Sequence, residues 1–500
     1  MLLPEYDALD ATAMAALVAS RGVSPGELVE AALQRVAARG VPLGAIAHRL
    51  DDAARAAAAG PLPQGPFTGV PFLVKDLSTS LAGLPLTWGS RMLEGHVARE
   101  DSETARRLLG AGLVVVATTS TAELGLLPVT ETALGGACRN PWDRSRTPGG
   151  SSGGSGAAVA ARIAPAAHGS DGGGSLRIPA SACGLFTVKP TRGRVSASPD
   201  PEAWSGLSSE GVLTRSVRDG AALLDVLAGA IPSDPYTAPP RARPYAAEVT
   251  TAPGRLRIAF TTGGLLGGAV HEECRAAVLG AARLLADLGH DVAEDAPRLD
   301  GEALLRAATT LICANVASDV AEMARRSGRR PGPETLEAAT LGALIVGRRL
   351  PAQAVVDALR AAHAARRALA AFHERYDLLV TATTPEPALP LGAMAPTRAE
   401  EALVRALSGP LAPLATRKLV ERLVERMAPG PQRSITNTAP FNLTGQPAAS
   451  LPLHVTAAGL PVGVQLAAAL GGEATIFRVA AQLEAARPWA DRRPPALDGP

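Results

Sequence analysis

Residues 147–190 read TPGGSSGGSGAAVAARIAPAAHGSDGGGSLRIPASACGLFTVKP. Two Gly/Ser-dense knots, Gly149–Gly156 and Gly169–Ser175, flank an Ala-rich segment. Upstream, Gly69-Val-Pro-Phe-Leu-Val-Lys75 is a strand-like apolar run that ends in a lysine, with Asp76 next. Glycine reaches positive φ without steric cost, so N–H groups in such turns converge on one point. A nest of donors of this kind binds an anion or an oxyanion. A serine inside it is a candidate nucleophile, and a lysine that burial can desolvate is a candidate base.

Rival readings fit less well. A lone Gly/Ser octamer reads as a flexible linker, but here the flanks are apolar and the second knot runs into Leu176-Arg-Ile-Pro179. A nucleotide-phosphate loop needs GxxxxGK[ST], and no lysine follows either knot directly. A dinucleotide fingerprint needs a preceding strand and an acidic residue about 20 positions on, which neither knot provides cleanly.

The stretch resembles the amidase signature family, whose members hydrolyse amides with a Ser–Ser–Lys triad. Ser175, in Asp171-Gly-Gly-Gly-Ser175-Leu-Arg177, matches the nucleophile of that family, Ser151 the serine at a cis peptide bond, and Lys75 the lysine. The family shares the spacing of 76 residues from Lys75 to Ser151 and of 24 from Ser151 to Ser175. Arg139-Asn-Pro-Trp-Asp143, Pro440-Phe-Asn-Leu-Thr-Gly-Gln-Pro447 and Gly459-Leu-Pro-Val-Gly-Val-Gln465 extend the likeness over most of the chain. One position departs from it. Gly172 stands where many relatives carry a branched apolar residue.

The resemblance implies an acyl-Ser175 intermediate, with Lys75 as base and Ser151 as proton relay. The N–H groups of Gly172, Gly173, Gly174 and Ser175 supply the oxyanion hole. Ser152 and Ser170 support the relay, and Asp171 and Arg177 stabilise the loop. No metal or cofactor is expected. Lysine is normally charged at pH 7, and burial disfavours that charge. A serine hydroxyl both donates and accepts, so Ser151 is able to pass a proton between Ser175 and Lys75. His168 reads as structural near a glycine turn, with catalysis as its alternative, and Asp171 as a triad acid has no matching histidine. Cys313 is either a wall of the acyl pocket, as in relatives that hydrolyse aminohexanoate oligomers and cyclic dimers, or a packed core thiol. The Thr187-Val-Lys-Pro-Thr191 context leans toward that same general amidase branch. An amidotransferase-type subunit supplying ammonia to a partner enzyme and a non-catalytic binding member are the competing functions.

The chain has 500 residues, 47% hydrophobic and only 3% aromatic, so its core is built mainly from Ala, Leu and Val. A net charge of +2 gives no case for nucleic acid or a membrane surface as partner. A small amide is the expected partner, and a homodimer is left open. Cys138, Cys183, Cys274 and Cys313 are widely spaced with no zinc-like pattern, and the N-terminus lacks a basic signal region, so a cytoplasmic setting is expected. No run of 18 apolar residues is present, so no membrane span is expected.

Apolar strand-like runs at Val70–Lys75, Leu113–Ala117, Arg255–Phe260 and Leu378–Thr381 alternate with helical patterns such as Glu272–Leu288. Ser24-Pro-Gly-Glu27 reads as a capping box with Gly40 as the stop, and Asp101–Gly110 as a capped helix. Glu400–Met427 reads as helices broken at Gly409-Pro410. This alternation predicts an α/β fold: one large domain with a central twisted mixed β-sheet and helices on both faces. Its expected parts are N-terminal helices (1–60), a core with the candidate residues (65–230), a variable substrate-shaping region (231–435) and a C-terminal return to the core (436–500).

Overall fold

The buried apolar runs become the strands of one sheet. A computed structural model of the chain describes residues 5–200, 202–408 and 431–495. The strands are β1 Ile46–Arg49, β2 Pro71–Lys75, β3 Val114–Thr119, β4 Glu131–Thr132, β5 Gly136–Ala137, β6 Ala166–Ser170, β7 Phe186–Lys189, β8 Glu210–Thr214, β9 Arg257–Phe260, β10 Asp291–Glu294, β11 Leu378–Ala382, β12 Ala448–Val455 and β13 Pro461–Ala468. Eleven of them form a mixed sheet in the order β1-β3-β2-β6-β8-β7-β12-β13-β11-β9-β10, while β4 and β5 make a separate ribbon. β2 runs parallel to β3 and β6, and β9 parallel to β10 and β11. The remaining pairs are antiparallel. β2, β3 and β11 are buried along their whole length, which is why they read as continuous apolar runs rather than alternating ones. Helices flank the sheet, and the single domain and mixed sheet agree with expectation.

The local signals hold with small shifts. The capping box at Ser24 and Glu27 is formed, but the α-helix ends at Arg35 and a wide π turn, Val36–Gly40, completes it. The helix expected from Asp101 is capped by Ser102, because the Asp101 carboxylate accepts instead from the Ala82 N–H at 2.7 Å. Thr104 and Leu108 of this helix are buried, and Leu109 is half-buried. The helix Arg398–Ser408 is described, but the expected break at Gly409-Pro410 and the segment to Met427 lie outside the described residues.

The helix Gly301–Ser327 is long and apolar enough by composition to cross a bilayer. Its stripe of Cys313, Val316, Val320 and Met323 is buried in a cluster with Leu341, Leu344 and Val346 of the helix Ala338–Gly347. It therefore reads as the core helix of a second hydrophobic layer beside the sheet.

Candidate active site

Two strand ends and two glycine-rich turns make the site. β2 delivers Lys75, whose side chain is 0% exposed although the residue is the last of its strand. Its Nζ donates to Ser151 Oγ at 2.7 Å and to Ser170 Oγ at 3.0 Å. Burial pulls the Lys75 ammonium down from its ordinary value to about 7, against the opposing charges of Glu210 and Asp171. Asp76 faces elsewhere, held by the Thr87 N–H at 2.8 Å and the Thr87 hydroxyl. The lysine thus meets hydroxyls and no directly bonded carboxylate.

Ser151 follows a cis peptide bond with Gly150. A side chain at Gly150 would stand 2.5 Å from the Val129 backbone, so that turn admits only glycine. The Ser151 carbonyl accepts from the Ala122 N–H at 3.3 Å and the Thr130 hydroxyl at 3.3 Å, and the helix Gly153–Ala160 starts directly behind it. Ser152 Oγ donates to the Ser170 carbonyl at 3.2 Å, and the Ser152 N–H donates to the Ser175 carbonyl at 3.2 Å. The two glycine knots are therefore tied together through Ser152.

The second knot leaves β6 at Ser170 and is organised by Asp171. Its fully buried carboxylate accepts from Arg177 Nε and Nη2, both at 2.9 Å, from Asn442 Nδ2 at 2.8 Å and from the Gly174 N–H at 2.7 Å. Burial opposes its charge, but Arg177 and Asn442 outweigh burial and hold the carboxyl well below the usual carboxylate range. Asp171 thus ties the loop together, and no histidine is among its bonded partners in the described residues. Its bond to Gly174 corrects the expected oxyanion hole. The Gly174 N–H is already engaged, which leaves Gly172, Gly173 and Ser175 as the N–H groups without a protein acceptor among the described residues.

The Ser175 hydroxyl makes no hydrogen bond among the described residues. The expected direct contact from Ser151 to Ser175 is therefore not formed in the resting site. Both serines, with Ser170 and Gly172, line one cavity of about 580 Å³. Cys313 does not line it. The thiol belongs to the stripe that packs against the helix Ala338–Gly347, and burial pushes it up to about 12. The cavity takes the opposite stripe of the helix Gly301–Ser327, with Asn315, Asp319 and Glu322. Of the two alternatives for Cys313, core packing is the one observed.

A family model described as Amidase matches residues 27–477. The chain belongs to the amidase family. It is 38% identical over 501 residues to the 6-aminohexanoate-cyclic-dimer hydrolase of Paenarthrobacter ureafaciens, over 98% of this chain and 97% of that protein. The solved structure of 6-aminohexanoate cyclic dimer hydrolase complexed with substrate superposes with a TM-score of 0.89 at 35% identity, over 99% of this chain and 100% of the other. The native peptide amidase of Stenotrophomonas maltophilia superposes at 0.73 with 27% identity, over 98% of this chain and 99% of the other. Amide hydrolysis is the chemistry of this amidase.

Sequence reasoning missed two parts of the amidase site. Arg177 is locked from the C-terminal region, donating to Asn442 Oδ1 at 2.6 Å, Gln465 Oε1 at 2.8 Å and the Thr438 carbonyl at 3.0 Å. Asn442 and Gln465 lie in the two C-terminal segments that resemble the family, so their signal was present without a role. The other part is the buried Glu210 on β8, in register with Ser170. It lines the cavity and accepts from Ser78 Oγ at 3.2 Å, and it lies 2.7 Å from His168 Nε2. His168 is fully buried and makes its contacts with Glu210 and Thr79, which agrees with its structural reading.

Proposed function

We propose that Ser175 attacks the carbonyl carbon of a small amide and that its proton passes through Ser151 to neutral Lys75. The new C–O bond makes a tetrahedral oxyanion, held by the N–H groups of Gly172, Gly173 and Ser175. Collapse breaks the C–N bond. The proton returns from Lys75 through Ser151 to the departing nitrogen, leaving the acyl-Ser175 ester. Water then attacks the ester by the same relay and releases the carboxylate. For this transfer the unbonded Ser175 hydroxyl turns toward Ser151, and hydrogen bonds of this kind often tighten only when substrate is bound.

The observation that carries this reading is the buried Lys75 amine, drawn down to about 7 with two serine hydroxyls as its bonded partners. The cavity also bears on the substrate. Asp200, Glu202, Glu210 and Asp319 line it, whereas Arg325 and Arg326 are both bound to Glu322. An uncharged or cationic amide suits such walls better than one carrying a free carboxylate. The cyclic dimer of 6-aminohexanoate, the substrate named for the relatives, is neutral and is the first compound to assay. Purified enzyme with this dimer and simple aliphatic and aryl amides should release amine, and Ser175→Ala should abolish release while the melting temperature stays unchanged. Turnover of more than a few per cent in that variant would place the nucleophile elsewhere.

A further inference from the structure

Gly172 has no conformational reason to be glycine. Its φ lies outside the left-handed region, unlike that of Gly174 at +133°. Space excludes a side chain there. An added Cβ would lie 2.9 Å from Trp204 Cε3 and 3.2 Å from Cζ3, whereas one at Gly173 would meet only Ile435, at 3.9 Å. The indole of Trp204 therefore lies directly on the bare backbone of Gly172, and both residues line the cavity together with Ser175.

Trp204 is held there at a cost. It and Ser205 have φ of 54° and 55°, a conformation unusual for residues with side chains that persists where the surroundings enforce it. The surroundings do so from one element, the helix Gly301–Ser327. Trp204 Nε1 donates to Asp319 Oδ2 at 3.3 Å, and Asn315 Nδ2 donates to Ser205 Oγ at 2.9 Å. Within the turn, the Ser205 N–H donates to the Glu202 carbonyl at 2.7 Å and the Leu207 N–H to the Trp204 carbonyl at 3.1 Å. Strained residues of this kind concentrate where function needs them.

We propose that Trp204 is a specificity-determining residue: its indole fills the place of the side chain that Gly172 lacks and forms the wall beside the carbon next to the scissile carbonyl. The inference rests on the reading of Ser175 as nucleophile and Gly172 as an oxyanion donor, because those two fix where the carbonyl sits. A wall standing on Gly172 then meets the first acyl carbon. Amides unbranched at that carbon pass the indole, and branched ones strike it.

A double-mutant cycle on Gly172→Ala and Trp204→Ala tests the pairing, read by melting temperature and by kcat/KM on the p-nitroanilides of hexanoic and 2-ethylbutanoic acids. Gly172→Ala should lower kcat/KM on the hexanoyl substrate about tenfold or more with Trp204 present, and only about twofold beside Trp204→Ala. Its melting temperature should fall in the first background and hold in the second. Trp204→Ala should raise the preference for the branched acyl group by about tenfold. Trp204→Phe, which keeps a smaller ring and loses the bond to Asp319, should move the preference in the same direction by less. Equal costs of Gly172→Ala in both backgrounds would overturn the pairing, and an unchanged preference in both Trp204 variants would overturn the specificity role. Failure of the underlying reading looks different. Ser175→Ala would then keep its turnover, while the melting-temperature coupling between Gly172 and Trp204, which owes nothing to catalysis, would persist.

Discussion

Two strands of the sheet end in buried lysines, and only one of these ends is a site. Lys75 closes β2 and Lys189 closes β7, with exposures of 0% and 1%. Burial draws both amines down to about 7. Their company differs. Lys75 Nζ meets two serine hydroxyls at the edge of a cavity, whereas Lys189 Nζ donates to the Pro190 carbonyl at 2.7 Å beside the charges of Arg177 and Asp171. A carbonyl gives up no proton, so Lys189 has nothing to accept. Burial makes a neutral lysine, but its neighbours decide whether it is a base.

Replacing each lysine by methionine separates the two ends most sharply. Lys75→Met should cost roughly 10⁴-fold or more in kcat, on the scale of losing one member of a triad. Lys189→Met should keep kcat within about tenfold, because it touches the site only through the Asp171–Arg177 anchor. Steady-state assays of both variants decide it, and equal losses would erase the distinction.

The pH dependence should divide them in the same way. With deprotonated Lys75 as the proposed base, kcat/KM should rise as pH climbs through about 7 and then level off. Lys189→Met should leave that limb in place. Glu210 opposes the effect of burial on Lys75, so Glu210→Gln should move the limb to lower pH by up to about one unit. A limb that stays put would remove Glu210 from the electrostatics of the base.

The smallest effect is on stability. For Lys189 the folded pKa lies near 7, below the ordinary value of 10.5. Between those two values the unfolded chain binds one more proton than the folded chain, so the protein gains stability as pH rises through this window. Lys189→Met should flatten the gain by up to about 1.4 kcal/mol per pH unit, measured by urea unfolding at pH 7 and 9. A slope identical to that of the native protein would mean that Lys189 stays charged in the fold.

The cluster of Lys75, Ser151 and Ser175 was legible because its signals are local. Lys75 ends an apolar run, and Ser151 and Ser175 sit in two dense Gly/Ser knots. The alternation of buried runs likewise gave the mixed sheet. What the sequence withheld was partnership across distance. The oddity of Gly172 was visible, but not that Trp204 fills its place, since no periodicity links a turn to a ring in a later loop. The sequence left Cys313 open between a pocket wall and a packed core thiol, and the phase of its helix set it in the core. His168 and Glu210 meet only because β6 and β8 pair in register. Asp171 claims the Gly174 N–H through a turn geometry that three consecutive glycines do not specify.

The bonds from Arg177 to Asn442 and Gln465 span 265 and 288 positions along the chain. The hairpin β12–β13 that carries Gln465 is not at the rim of the sheet but between β7 and β11, where it joins the two halves. This hairpin, late in the sequence, is thus a keystone of the sheet. A chain grown past Lys75, Ser151 and Ser175 still lacks the clamp on Arg177 until Asn442 and Gln465 have joined it. Contacts of such long range also make for slow folding.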